Sequence, residues 1–123
     1  MTLSPRCVAL IVAAGHGVRA GEGLPKQYRP IGGVPVLRRT IDAFVRHPEI
    51  DQVQVVISDE HRELYSTATE GLTLPAPASG GETRQVSWID FDNDGRLDLF
   101  IAFRDAPNML MHNDGRRFVD VAA

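Results

Sequence analysis

Hydrophobic positions change their period once along this chain, and the change divides it. Cys7 to Ala13 is a continuous apolar run bounded by Pro5 and Gly15, the pattern of a strand buried on both faces. Gly15 to Gly33 holds six glycines and two prolines, too many breakers for a regular element. After Pro35, the residues Leu37, Ile41, Phe44 and Val45 fall on one helical face, and the helix should stop before Pro48. Gln52 to Ile57 alternates and then runs apolar, which predicts a second strand. Ser58 can cap a short helix from about Asp59 to Thr69, with Asp59 and Glu60 in its first turn. Strand, helix, strand, helix predicts a right-handed parallel unit of a three-layer α/β fold.

Leu72 to Ala78 contains Pro75 and Pro77, so it predicts at best an irregular edge segment. Gly80-Gly81 then makes a turn. From Val86 the short β-prone runs Val86–Phe91, Leu97–Phe103, Met109–His112 and Phe118–Val121 follow one another. Asn93-Asp94-Gly95, Pro107-Asn108 and Asn113-Asp114-Gly115 separate them, a spacing that predicts antiparallel hairpins. The expected fold class is α/β, a parallel sheet followed by an antiparallel β-hairpin segment. The expected division is residues 1–87 and 88–123.

Charge sharpens that division. The net charge is −3 over 123 residues, which gives no reason to expect a nucleic-acid or anionic-membrane partner. Up to Val86 acids and bases balance, whereas from Ser87 onward seven aspartates face four arginines. The length suits one modest core. Cys7 is the only cysteine, so no intrachain disulfide forms, and the expected state is a buried thiol on an apolar strand. Arg6 with the apolar run to Ala14 could imitate a short signal peptide, but the loop that follows makes chemical sense of the same stretch. No apolar run approaches the length that spans a bilayer, and the default expectation is a soluble, cytoplasmic protein.

The loop Ala13-Ala14-Gly15-His16-Gly17-Val18-Arg19, continuing to Pro25-Lys26-Gln27-Tyr28, has the chemistry of a phosphate cradle. Gly15 and Gly17 let backbone N–H groups approach without a Cβ in the way. Arg19 and Lys26 bring positive charge to the non-bridging oxygens, where charge accumulates when an α-phosphate is attacked. A glycine-rich turn with solvated basic residues is the alternative. Strand, glycines, Arg and Pro-Lys-Gln together outweigh it.

These residues, with IGGVPVLRRTIDAFVRHPEIDQVQVVIS and GGETRQVS, closely resemble the amino-terminal part of 2-C-methyl-D-erythritol 4-phosphate cytidylyltransferases over about residues 6–87. The resemblance implies a three-layer, Rossmann-like nucleotidyltransferase sheet. It implies a reaction in which CTP and a polyol phosphate give a CDP-polyol and pyrophosphate with Mg²⁺. Ala13, Ala14, Gly15 and Gly17 would line the CTP site, and Arg19 and Lys26 would act in catalysis by stabilising the pentavalent transition state. Gly80, Gly81, Glu82 and Ser87 match the segment that holds cytosine and ribose, although a solvated loop acid is an equal reading of Glu82. His16, His47 and His61 are expected as exposed surface positions. The later metal-binding His-Asp-Ala-Ala-Arg-Pro type segment of the family is not recognisable, and Phe103-Arg104-Asp105-Ala106-Pro107 is only a faint echo of it.

A second constellation begins at Asp90. Asp90, Asp92, Asp94 and Asp98 take the first, third, fifth and ninth places of a loop bent at Gly95, with the Arg96 carbonyl at the seventh. Alternating carboxylates of this kind suit Ca²⁺, which takes six to eight oxygens. Ile101 in place of a twelfth-position Glu, with strands on both sides, argues against a helical EF-hand. A polar hairpin turn without an ion is the alternative. Residues 86–123 resemble FG-GAP/VCBS repeats of β-propellers, which implies a calcium-binding adhesion or interaction module. Exposed strand edges predict self-association into a homo-oligomer.

Overall fold

The computed structural model describes residues 7–15 and 23–122, which form two compact units, one up to Ser79 and one from Gly80 onward. In the first, strands β1 (Val8–Ala13), β4 (Gln52–Ser58) and β5 (Ala78–Gly80) lie in the order β1-β4-β5. β1 and β4 are parallel, Val8 opposite Gln52 through Ala13 opposite Ile57. Between them come a small hairpin of β2 (Pro30–Ile31) and β3 (Val34–Pro35), then helix α1 (Val36–Val45). The hairpin turns on Gly32 and Gly33, both at positive φ (61° and 82°). Two successive left-handed residues are what a tight two-residue hairpin demands. The Arg39 guanidinium fastens the hairpin to α1 by donating to the Ile31 carbonyl.

One face of the parallel pair carries the core. Ala9, Ala13, Val53, Val55 and Ile57 alternate along the strands, as the period of two requires. They pack with Leu37 and Ile41 of α1 and with Tyr65 and Ala68 of α2 (Arg62–Ala68). Double-sided burial falls on β4 rather than β1: every residue from Val53 to Ser58 is buried, whereas Val12 of β1 is 46% exposed. Position explains the difference, since among the described strands β4 is central in its sheet and β1 is outermost. Gln54 tolerates burial because its amide donates to the carbonyls of Ala76 and Val55, each at 3.2 Å.

Four local expectations need correction. Cys7 precedes the first residue of β1 and is exposed; its backbone N–H donates to the Asp51 carboxylate at 2.7 Å. His61 is buried, edge-on to the Tyr28 ring at 5.6 Å, because the chain enters α2 through a 3-10 turn (Asp59–His61) that rotates it inward. Ser58 stands at the cap position but makes no side-chain capping bond. Phe44 and Val45 lie on the rim of the α1 stripe, 39% and 46% exposed. His47 is exposed as expected, just past α1, and its Nδ1 accepts from the Glu49 N–H.

The second unit is an antiparallel meander of β6 (Thr83–Ile89), β7 (Asp98–Phe103), β8 (Met109–Asn113) and β9 (Phe118–Asp120), in that spatial order. Register sets Trp88 opposite Leu99, Val86 opposite Ile101 and Leu99 opposite Met111, so these apolar side chains share one face. Leu99, Ile101, Phe103 and Met111 are buried, and Trp88 meets the Phe118 ring at 5.9 Å. Parallel and antiparallel sheets together give the expected mixed α/β architecture, consistent with part of a nucleotidyltransferase fold.

Candidate functional site

At the carboxyl end of β1, Ala13 and Ala14 are buried and Gly15 is exposed, with no described residue within 4 Å of the place a Cβ would take. A one-turn 3-10 helix (Lys26–Tyr28) lies beside it. Pro25 opens this turn, its fixed φ presetting the entry, and its carbonyl accepts from the Tyr28 N–H at 2.9 Å. Tyr28 drives into the core at 3% exposure. That anchor leaves Lys26 exposed and Gln27 half-buried at the rim of an open cavity of about 370 Å³, which Ala13, Gly15 and Thr40 also line. The Gln27 amide donates to the carbonyls of Ala13 (3.0 Å) and Gly15 (2.7 Å). Burial, reinforced by the neighbouring Tyr65, pushes the Tyr28 phenol up to about 12.

Of the residues expected at a nucleotide site, the structure brings together Ala13, Ala14, Gly15 and Lys26. Gly17 and Arg19, like His16, lie outside the described residues. Gln27, absent from the expected set, is the addition; its place in Pro-Lys-Gln was the available signal. No carboxylate among the described residues lines the cavity.

Gly80 is the last residue of β5 and the first of the second unit, to which Gly81, Glu82 and Ser87 also belong. A Cβ on Gly80 would stand 2.7 Å from the Phe103 ring, and one on Gly81 would collide with the Asp105 carboxylate. Close packing within this unit is therefore itself a reason for glycine at both positions. The Glu82 carboxylate pairs with Arg104 at 3.3 Å, and its carbonyl accepts from the Arg104 N–H at 2.8 Å. Ser87 lies on β6 opposite Phe100, its hydroxyl 3.1 Å from the Gln85 amide.

The aspartate loop joins β6 to β7. The Asp90 carboxylate accepts from the N–H groups of Asp94 (3.1 Å) and Gly95 (2.9 Å), and Asp94 accepts from Arg96 at 2.9 Å. Asn93 and Gly95 take positive φ, 56° and 84°, which Asn and Gly adopt at least cost. Asp98 is fully buried; its two oxygens accept from the N–H groups of Phe91 (3.2 Å) and Asn113 (2.7 Å). Carboxylate oxygens of Asp90, Asp92 and Asp98 lie within 4.8 Å of one another, as do ligand atoms of Asp92, Asp94 and His112. His112 was missed in the sequence because it comes from β8; its Nδ1 stands 3.2 Å from Asp98 and 3.4 Å from Asp92.

Desolvation, with Asp94 and Asp98 beside it, raises the Asp92 carboxyl above its ordinary value. The Arg96 N–H holds that of Asp94 below it. Arg96 turns its side chain to Asp94 (3.1 Å) and to the Asn113 carbonyl (3.1 Å). The second Asn-Asp-Gly turn repeats the bond pattern of the first, Asp114 accepting from Arg116 at 2.8 Å.

Comparison with known proteins adds identity to this geometry. A bifunctional enzyme IspD/IspF of Rhizorhabdus wittichii is 47% identical over 122 residues, covering 99% of this chain and 30% of its own length. Another of Bradyrhizobium sp. (strain ORS 278) is 51% identical over 122 residues with the same coverage. One of Bradyrhizobium diazoefficiens is 47% identical over 87 residues, 71% of this chain and 22% of its own length. The chain thus spans about 30% of the length of the first two relatives. No solved structure matches it. The family model for 2-C-methyl-D-erythritol 4-phosphate cytidylyltransferase matches residues 7–119. That span runs well beyond residue 87 and takes in the aspartate loop, and none of these matches is a calcium repeat. The chain belongs to the 2-C-methyl-D-erythritol 4-phosphate cytidylyltransferase family.

Proposed function

We propose that this chain forms the CTP-binding part of a cytidylyltransferase that joins CTP to a polyol phosphate, 2-C-methyl-D-erythritol 4-phosphate by family, releasing pyrophosphate. The observation that carries this is the cavity at the end of β1, where Gly15 opens the backbone and Lys26 stands exposed at the rim. An ammonium there neutralises triphosphate oxygens, and stabilises the charge that builds on them during α-phosphoryl transfer more than it stabilises the ground state. Arg19 is the second cation of this reading, and Gly17 belongs with Gly15. Gly80, Gly81, Glu82 and Ser87 are the proposed cytosine and ribose segment.

Mg²⁺ is the metal the family implies. With no carboxylate among the described residues at the cavity, this chain's own described groups do not form a cage for it, and their contribution is binding and charge neutralisation. A cytoplasmic location goes with the reading, since CTP is drawn from that compartment. The outer strands β6 and β9 favour self-association; a clean monomer by light scattering removes that idea. Calorimetry with CTP and Mg²⁺ tests the main reading: binding should weaken in Arg19→Ala and in Lys26→Ala, and equal binding by both variants would count against it.

One observation favours a second reading for residues 88–123. The carboxylates of Asp90, Asp92 and Asp98 converge within 4.8 Å, a concentration of negative charge that a divalent cation relieves. On this reading Asp90, Asp92, Asp94, Asp98 and the Arg96 carbonyl hold Ca²⁺, as in an FG-GAP/VCBS repeat. Ca²⁺ should then raise the thermal midpoint, and an Asp92→Ala and Asp94→Ala double change should abolish the rise. No Ca²⁺ response in the parent removes this reading.

A further inference from the structure

We propose that Gln27 is a positioning residue of the nucleotide site, acting through Lys26; this rests on the CTP reading above. A primary amide carries two N–H donors on one nitrogen, and Gln27 spends them on two carbonyls separated by one residue. It reaches Ala13 at 3.0 Å and Gly15 at 2.7 Å. The bonds span 14 and 12 positions of chain, so they join two segments that sequence does not hold together. One is the exit of β1; the other is the 3-10 turn that carries Lys26.

Two physical consequences follow. The first is geometric. Lys26 and Gln27 are successive in one tight turn whose far end is pinned by buried Tyr28. Fastening Gln27 to β1 adds a second anchor directly beside Lys26, so the Lys26 backbone is held against the Gly15 opening by two successive residues. A long lysine side chain loses less freedom on meeting a phosphate when its root is already placed. The second is electrostatic. Carbonyl oxygens carry negative partial charge, and two of them beside a triphosphate would repel it. The Gln27 N–H groups meet those oxygens with positive charge, while the Lys26 ammonium has no ion-pair partner among the described residues and remains available.

The role separates from simple stabilisation by a double-mutant cycle on CTP affinity with Mg²⁺, measured calorimetrically on the full chain. Gln27→Met keeps length and adds no charge but removes both donors. It should weaken CTP binding about tenfold, the scale of one to two lost positioning hydrogen bonds. In a Lys26→Ala background the same change should cost less than about twofold, because the group it positions is gone. Gln27→Asn keeps the amide but shortens its reach, and should behave as Gln27→Met in the same cycle if the latter does not fold. Equal losses in both backgrounds, or no loss in either, overturn the positioning role while leaving the nucleotide site intact. A parent that does not bind CTP overturns the nucleotide reading and this role with it.

Discussion

Replacing Asp98 with alanine should cost the second unit about 2–4 kcal/mol, whether or not the aspartate loop ever meets a metal. The carboxylate is fully buried and holds two backbone N–H groups from different segments, Phe91 in the loop and Asn113 at the end of β8. Alanine leaves both donors without an acceptor. The Asn113 bond is short, 2.7 Å, and part-buried, so its loss carries most of the usual ~1–3 kcal/mol penalty for an orphaned donor. The Phe91 bond is longer, 3.2 Å, and its residue is 44% exposed, so water recovers part of that cost. Asp98→Asn retains one acceptor oxygen and should lose about half as much. The assay is urea unfolding with a chelator present, followed by the fluorescence of Trp88, the chain's only tryptophan and a member of β6 in this sheet. With a slope near 1 kcal/mol/M for so small a unit, the midpoint should fall by roughly 2–4 M or the sheet should be unfolded outright. A change under about 0.5 kcal/mol would refute the reasoning, since it would mean the loop and β8 hold together without this carboxylate.

Other consequences are as direct. Tyr28→Phe removes a buried hydroxyl that has no hydrogen-bond partner among the described residues, so stability at pH 7 should be unchanged or up to about 1 kcal/mol higher by denaturant titration. In the parent, the phenol ionises near 10 when unfolded but only at about 12 when folded. Stability is therefore intact below pH 10 and falls as pH rises from there through about 12. Tyr28→Phe should flatten that fall, and equal slopes for the two proteins would contradict the burial argument. Gly80→Ala sets a methyl against the Phe103 ring and should destabilise by about 1–3 kcal/mol in the same Trp88 assay; combining it with Phe103→Leu should recover part of the loss.

Much of the fold was legible because period tracks burial. The switch from apolar runs to short β-prone segments predicted a parallel pair followed by a meander, and the strands follow within a few residues. What the pattern hid was sheet position. The run Val8–Ala13 looks as deeply buried as Val53–Ile57, yet among the described residues β4, and not β1, has a strand on each side. His61 was misread because helical spacing assigns it to a surface, whereas the 3-10 entry to α2 turns it onto Tyr28. The candidate site was legible where chemistry is local: glycines and a lysine near one strand end need no tertiary knowledge. Pro-Lys-Gln marked Gln27 but not its hold on Ala13 and Gly15, and nothing local marked His112, since each acts on groups more than ten positions away. Asp98 reads in sequence as a ligand like its neighbours; only its burial shows that it also latches the sheet.

The claim beneath this account is that a triphosphate settles where β1 ends, against the Lys26 turn. Titrating CTP with Mg²⁺ into isotope-labelled protein and following backbone amide resonances tests it directly. The account predicts saturable shifts at Ala13, Ala14, Gly15, Lys26 and Gln27, reached only at higher CTP concentration in Lys26→Ala. Resonances there that stay still at millimolar CTP would contradict it.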